Sequence, residues 1–147
     1  MKNLNLRNGV LGVLAVVGVA SLLPSCSGSS SDLEFAKSSF QALCRGDKSA
    51  ADAIDFEMFS SSGVNVGQMY LLLPESERKG FRDSFVAQFA ASFQSVGGSS
   101  DQLTNWRVES EDSARTVVAC DAPSGKEFAI TVSKRDGHQK ISSLTVR

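Results

Sequence analysis

The spacing of apolar residues changes once along this chain, near residue 100, from the period of a helix to the period of a strand. Before that point apolar side chains recur every three or four residues, which places them on one stripe of a helix. After it they alternate, which places them on one face of a pleated strand. Helices first and strands after predict an α+β domain in which N-terminal helices cover one face of a sheet.

The helical half reads in four pieces. Ser31 or Asp32 is a suitable cap for a first helix, with Glu34 three residues after Ser31 as in a capping box, and Leu33, Ala36, Phe40, Leu43 and Cys44 share its stripe. Gly46 is placed to end it. Asp47 then caps a short helix carrying Ala50, Ala51 and Ile54, which Ser60-Ser61-Ser62-Gly63 closes. Val66, Met69, Tyr70 and Leu73 outline another short helical piece. Pro74 followed by Glu75 and Glu77 starts a long helix that Gly97-Gly98 ends, and Phe81, Phe85, Phe89 and Phe93 recur along it at intervals of four. Glu75, Lys79 and Asp83 form i,i+4 pairs on its solvated face.

Four strands follow. Trp106 and Val108 alternate with Asn105 and Arg107; Thr116, Val118 and Cys120 with Val117 and Ala119; Phe128, Ile130 and Val132 with Ala129 and Thr131. The breaks at Glu111-Asp112-Ser113, Ala122-Pro123-Ser124-Gly125 and Asp136-Gly137 carry turn chemistry. In the last run, Ile141, Leu144 and Val146 depart from strict alternation, and a bulge near Ser142 restores one face. The expectation is a curved four-stranded antiparallel meander.

The N-terminus specifies an address. Lys2 and Arg7 precede a 14-residue apolar run from Val10 to Leu23, too short for a single-pass span of about 20 residues. Leu22-Leu23-Pro24-Ser25-Cys26 resembles the lipobox of bacterial lipoprotein precursors. That resemblance implies cleavage after residue 25, acylation of Cys26 and anchoring of the mature chain to a membrane. Ser27 behind the cysteine is similar to the outer-membrane sorting pattern, so the expected location is the bacterial envelope. The expected organisation is a signal peptide at 1–25, a lipidated cysteine with a Ser/Gly tether at 26–32, and one domain at 33–147.

Helices followed by a curved sheet resemble the cone of the nuclear-transport-factor-2-like superfamily, in particular small lipoproteins with one such domain. There a segment like Phe40-Gln41-Ala42-Leu43-Cys44-Arg45-Gly46-Asp47 ends the first helix and a strand like Asp136-Gly137-His138-Gln139-Lys140-Ile141 closes the chain. A second likeness is to the periplasmic phospholipid carrier family, whose long helix is similar to Pro74-Glu75-Ser76-Glu77-Arg78-Lys79-Gly80-Phe81. The chain differs from the carriers in its lipobox, its shorter length and the lack of sequence after the last strand.

Composition narrows the function classes. Without Lys2 and Arg7 the chain carries 13 Lys/Arg against 16 Asp/Glu, with no basic stripe to neutralise nucleic-acid phosphates. His138 is the only histidine and follows a turn, where solvation is the default; Tyr70 is the only tyrosine and fits a half-buried anchor. Asp52 and Asp55, with Asp47 and Glu57 nearby, are a conceivable carboxylate pair that helix capping and solvation also explain. No phosphate loop, metal-ligand spacing or nucleophile with a partner base is present, so no catalytic, metal or cofactor residue is assigned.

The function expected is a non-catalytic, membrane-tethered binding module. Its ligand is a hydrophobic molecule between the phenylalanine helix and the sheet, or another envelope protein. An auxiliary phospholipid carrier and an enzyme of the cone superfamily are the alternatives. Phe40, Phe85, Phe89, Trp106, Val118 and Ile130 are the expected pocket lining, with a filled core as the competing account of the same residues. Cys44 and Cys120 remain after Cys26 and form a reasonable disulfide in an oxidising compartment, two separate buried thiols being the other reading.

Overall fold

The computed structural model describes residues 27–147. The expected signal peptide, the lipobox and the acylated Cys26 therefore lie outside the described residues. Among those described, no helix is long and apolar enough to cross a membrane.

The domain is α+β. Helices α1 (Ser27–Arg45), α2 (Ala50–Ala53), α3 (Val66–Leu72) and α4 (Glu75–Ser95) precede strands β3 (Thr104–Glu111), β4 (Arg115–Asp121), β5 (Glu127–Arg135) and β6 (His138–Val146). Two short strands, β1 (Ser60–Ser61) and β2 (Val64–Asn65), lie between α2 and α3. The sheet is six-stranded and ordered β2-β1-β6-β5-β4-β3. The expected four strands thus gain a two-stranded extension, and the sheet is mixed, because β1 runs parallel to β6.

The extension is a hairpin in miniature. Ser62 and Gly63 both adopt positive φ, at 45° and 84°, the backbone signature of a two-residue turn whose twist matches paired strands. It delivers the chain to the β6 edge, where Ser60 Oγ donates to Ser143 Oγ at 3.0 Å.

The start of α1 also departs from expectation. Ser27 to Ser31 are helical and not a flexible tether. Their composition disfavours a helix, and tertiary contacts supply what it lacks. Gln139 Nε2 donates to Ser31 Oγ at 3.1 Å and also to Asp32, and Thr116 Oγ1 donates to Asp32 Oδ2 at 2.7 Å. Asp32 is accordingly buried and engaged with the sheet instead of serving as an N-cap.

The short helix departs as well: α2 starts after Ser49 and not at Asp47, whose side chain pairs with Arg45, and Ile54 lies past its end in a parallel bridge to Ile141. The ends of the two long helices follow the local signals. α1 ends where Gly46 takes a left-handed conformation, and α4 ends against a left-handed Gly97. The register shift of β6 lies between Thr131↔Ser143 and Val132↔Ile141, which makes Ser142 the extra residue and turns both Ile141 and Leu144 into the core.

α1 lies across β3 to β6, and α4 packs on α1 and α2. α4 reaches the sheet through its phenylalanines. Phe40 of α1, fully buried, fills the space between them, with its ring 5.9 Å from Phe89, 6.3 Å from Trp106 and 5.1 Å from Phe128. A second aromatic group forms round Phe56, within 6.2 Å of Phe59, Tyr70, Phe81 and Phe85. The Phe85–Phe89 contact at 6.3 Å joins the two groups into one core.

Candidate functional site

The residues expected to line a pocket divide in the structure. Phe40, Val118 and Ile130 are completely buried, and Phe85, Phe89 and Trp106 pack against them partly exposed. Val118 faces Ile130 across the β4–β5 ladder beneath α1. Trp106 turns its indole N–H onto Leu103 O at 3.2 Å. The middle of the domain is packed core, and of the six residues Phe89 also lines a recess.

That recess is an apolar groove at one end of the domain, about 440 Å³ in volume. Its walls are the last turn of α4, the β4–β5 turn and the end of β6. Phe93 and Phe128 form the floor, with ring centroids 6.0 Å apart, while Val96 at 77% and Val146 at 43% exposure form the rim. The helix end shapes it: Gly98 N donates to Phe93 O at 3.0 Å, and a Cβ on Gly98 would stand 2.6 Å from that oxygen and 2.8 Å from the Phe93 ring. Only glycine permits this approach. On the opposite wall, Ala122 N bonds to Lys126 O and Gly125 N to Ala122 O, which fixes Pro123 and Ser124 over the opening.

Lys126 is the single charged residue lining this groove, and it makes no ion pair among the described residues. Its acidic neighbours are committed to the other face of the sheet. Arg107 holds Asp121 at 3.1 Å and also pairs with Glu127, while Arg147 bridges Glu109 and Glu127 at 3.0 Å. Hydrogen bonds from Asn105 and from Arg107 hold the Asp121 carboxyl below its ordinary range. Ala119 and Ala129 are buried, and Arg107 stands in register opposite Ala119.

A second recess of about 350 Å³ gathers most of the polar residues singled out above. Asp52, Asp55, Glu57, Tyr70 and His138 all line it, but the acids are occupied. Arg82 pairs with Asp52 at 2.6 Å and lies over the Phe56 ring. Arg135 forks between Asp55 at 2.7 Å and Glu57 at 2.6 Å, and Asp55 N bonds to Ile141 O. These contacts clamp the α2–β1 connection to β5 and β6. Asp47 is elsewhere, paired with Arg45 at 3.1 Å. His138 is exposed, and Tyr70 is half-buried under the Arg78 guanidinium at 5.4 Å.

Cys44 and Cys120 stand as separate buried thiols, and the expected bridge is not formed in this structure. Both pack as small apolar groups in the core. Burial pushes each thiol up to about 12, so both remain protonated and weakly nucleophilic at neutral pH. No cluster of three or more metal-ligating side chains occurs among the described residues.

Comparison with known protein families, with curated proteins and with solved structures finds no match.

Proposed function

We propose that this chain is a non-catalytic, membrane-tethered binding module of the bacterial envelope, anchored through Cys26, whose domain takes a hydrophobic small molecule in the groove between α4 and the β4–β5 turn. The observation that carries the reading is the groove itself: a concave apolar recess, floored by Phe93 and Phe128, with Val96 left 77% exposed at its rim. Its volume of about 440 Å³ falls in the range of small-molecule sites, roughly 300–1,000 Å³. The non-catalytic part is supported by the ion pairs of Asp52, Asp55 and Glu57, which leave these acids engaged as structural clamps. The cone fold of the nuclear-transport-factor-2-like superfamily belongs to the same proposal, and helices laid over a mixed sheet are consistent with it.

A second reading, docking of another envelope protein, is favoured by a different region. Met58, Val64, Met69, Leu71 and Leu72 are each at least half exposed along the stretch from the turn before β1 to the end of α3, an unusual density of apolar side chains on a surface.

Titration of the mature domain with a hydrophobic fluorescent dye separates the two. Val96→Glu places a charge in the groove at an exposed position, so dye affinity should fall by about tenfold or more while stability shifts by no more than about 0.5 kcal/mol. Undiminished dye binding in that variant would assign the dye to another surface and remove the groove from the account.

A further inference from the structure

We infer that the ligand of the groove is a single-chain amphiphile with an anionic head, a long-chain carboxylate, whose chain lies on Phe93 and Phe128 and whose head pairs with Lys126. The inference rests on the groove reading above and adds the chemistry of the ligand.

Charge complementarity is its basis. Every residue lining the groove except Lys126 is uncharged, and the two carboxylates nearest to Lys126 in sequence are turned to the opposite face and neutralised there by Arg107 and Arg147. The α4 C-terminus, which would otherwise present free carbonyls to the same space, has the carbonyls of Phe93 and Gln94 taken by Gly98 N and Gly97 N. Among the described residues Lys126 thus has no ion-pair partner, on an exposed turn that walls an apolar recess. An alkyl chain satisfies the floor and an anion satisfies the rim; a neutral apolar molecule satisfies only the floor, and a cation is repelled. The volume of about 440 Å³ is in the lower part of the range for ligand sites, which suits one chain rather than the two of a phospholipid. Ser92 and Ser124 also line the groove and supply hydroxyl donors for a head group.

The test is a fluorescence titration of the mature domain with cis-parinaric acid and, in parallel, with its methyl ester, which keeps the chain and removes the charge. The parent should bind the acid about fivefold more tightly than the ester at low salt, the upper range for an exposed ion pair. The preference should disappear in Lys126→Ala, whose fold is verified by circular dichroism, and shrink at about 0.5 M NaCl, where exposed charges are screened. Equal binding of acid and ester by the parent overturns the anionic head group and leaves the apolar groove standing. A preference that persists unchanged in Lys126→Ala also overturns the assignment. Failure of both probes to bind the folded parent removes the groove reading together with this one.

Discussion

Phe40→Ala is expected to lower the unfolding free energy by about 3–5 kcal/mol, the usual cost of truncating a buried phenylalanine. Phe40 is fully buried on α1, and its ring touches α4 through Phe89, β3 through Trp106 and β5 through Phe128. Truncation removes the ring that joins three elements, and the surrounding aromatics cannot all move inward to close the gap. A domain of this size has only about 5–15 kcal/mol of net stability, so the loss is a large fraction of the whole. Chemical denaturation of parent and variant, read by circular dichroism, measures it directly. A loss below about 1 kcal/mol would mean that the space round Phe40 is loosely filled and that the ligand cavity is there.

Val118→Phe tests the same region from the opposite direction. Val118 is completely buried, faces Ile130 across the ladder and lies in the sheet under α1. Enlarging a close-packed position costs about 1–3 kcal/mol, because neighbours must leave their preferred rotamers. In a domain of roughly this length each kcal/mol lowers the thermal midpoint by about 4 °C. The variant should therefore melt earlier yet bind a hydrophobic probe as the parent does below its transition, since the groove is built from other residues. An unchanged midpoint with lost probe binding would place the ligand inside the sheet-helix interface instead.

Much of this architecture is visible in the residue pattern, for physical reasons that can be named. The long helix is delimited by Pro74 and by Gly97-Gly98, whose backbone preferences act locally. The bulge at Ser142 follows from apolar residues that only one inserted position can bring to a common face. The hairpin of β1 and β2 escapes this kind of reading because two-residue strands have no periodicity; its one signal is Ser62-Gly63, a turn dipeptide that also suits the end of a helix.

The first turns of α1 are tied to the sheet at Ser31 and Asp32 by Thr116 and Gln139, which are remote from them in sequence. Thr116 did leave a trace: a hydroxyl at a core-facing strand position must find a partner, and Asp32 is that partner. The location of the groove was not legible because it depends on where α1 crosses the sheet. Phe40 occupies the space that the pattern of α4 alone would leave open, and the unfilled volume moves to the end of the helix, beside Val96 and the β4–β5 turn. Phe93 and Phe128 are buried residues of the core that also line the groove, and their positions along α4 and β5 do not distinguish them from their fully enclosed neighbours.

The terminal groove is proposed to hold a small hydrophobic molecule, and native mass spectrometry of the protein purified from its host without detergent tests whether one is bound. The predicted result is a folded protein with an added small-molecule mass that mild activation removes and that is absent from Val96→Glu purified in the same way. A parent that always carries only its own mass, or a Val96→Glu variant that retains the same adduct, would contradict it.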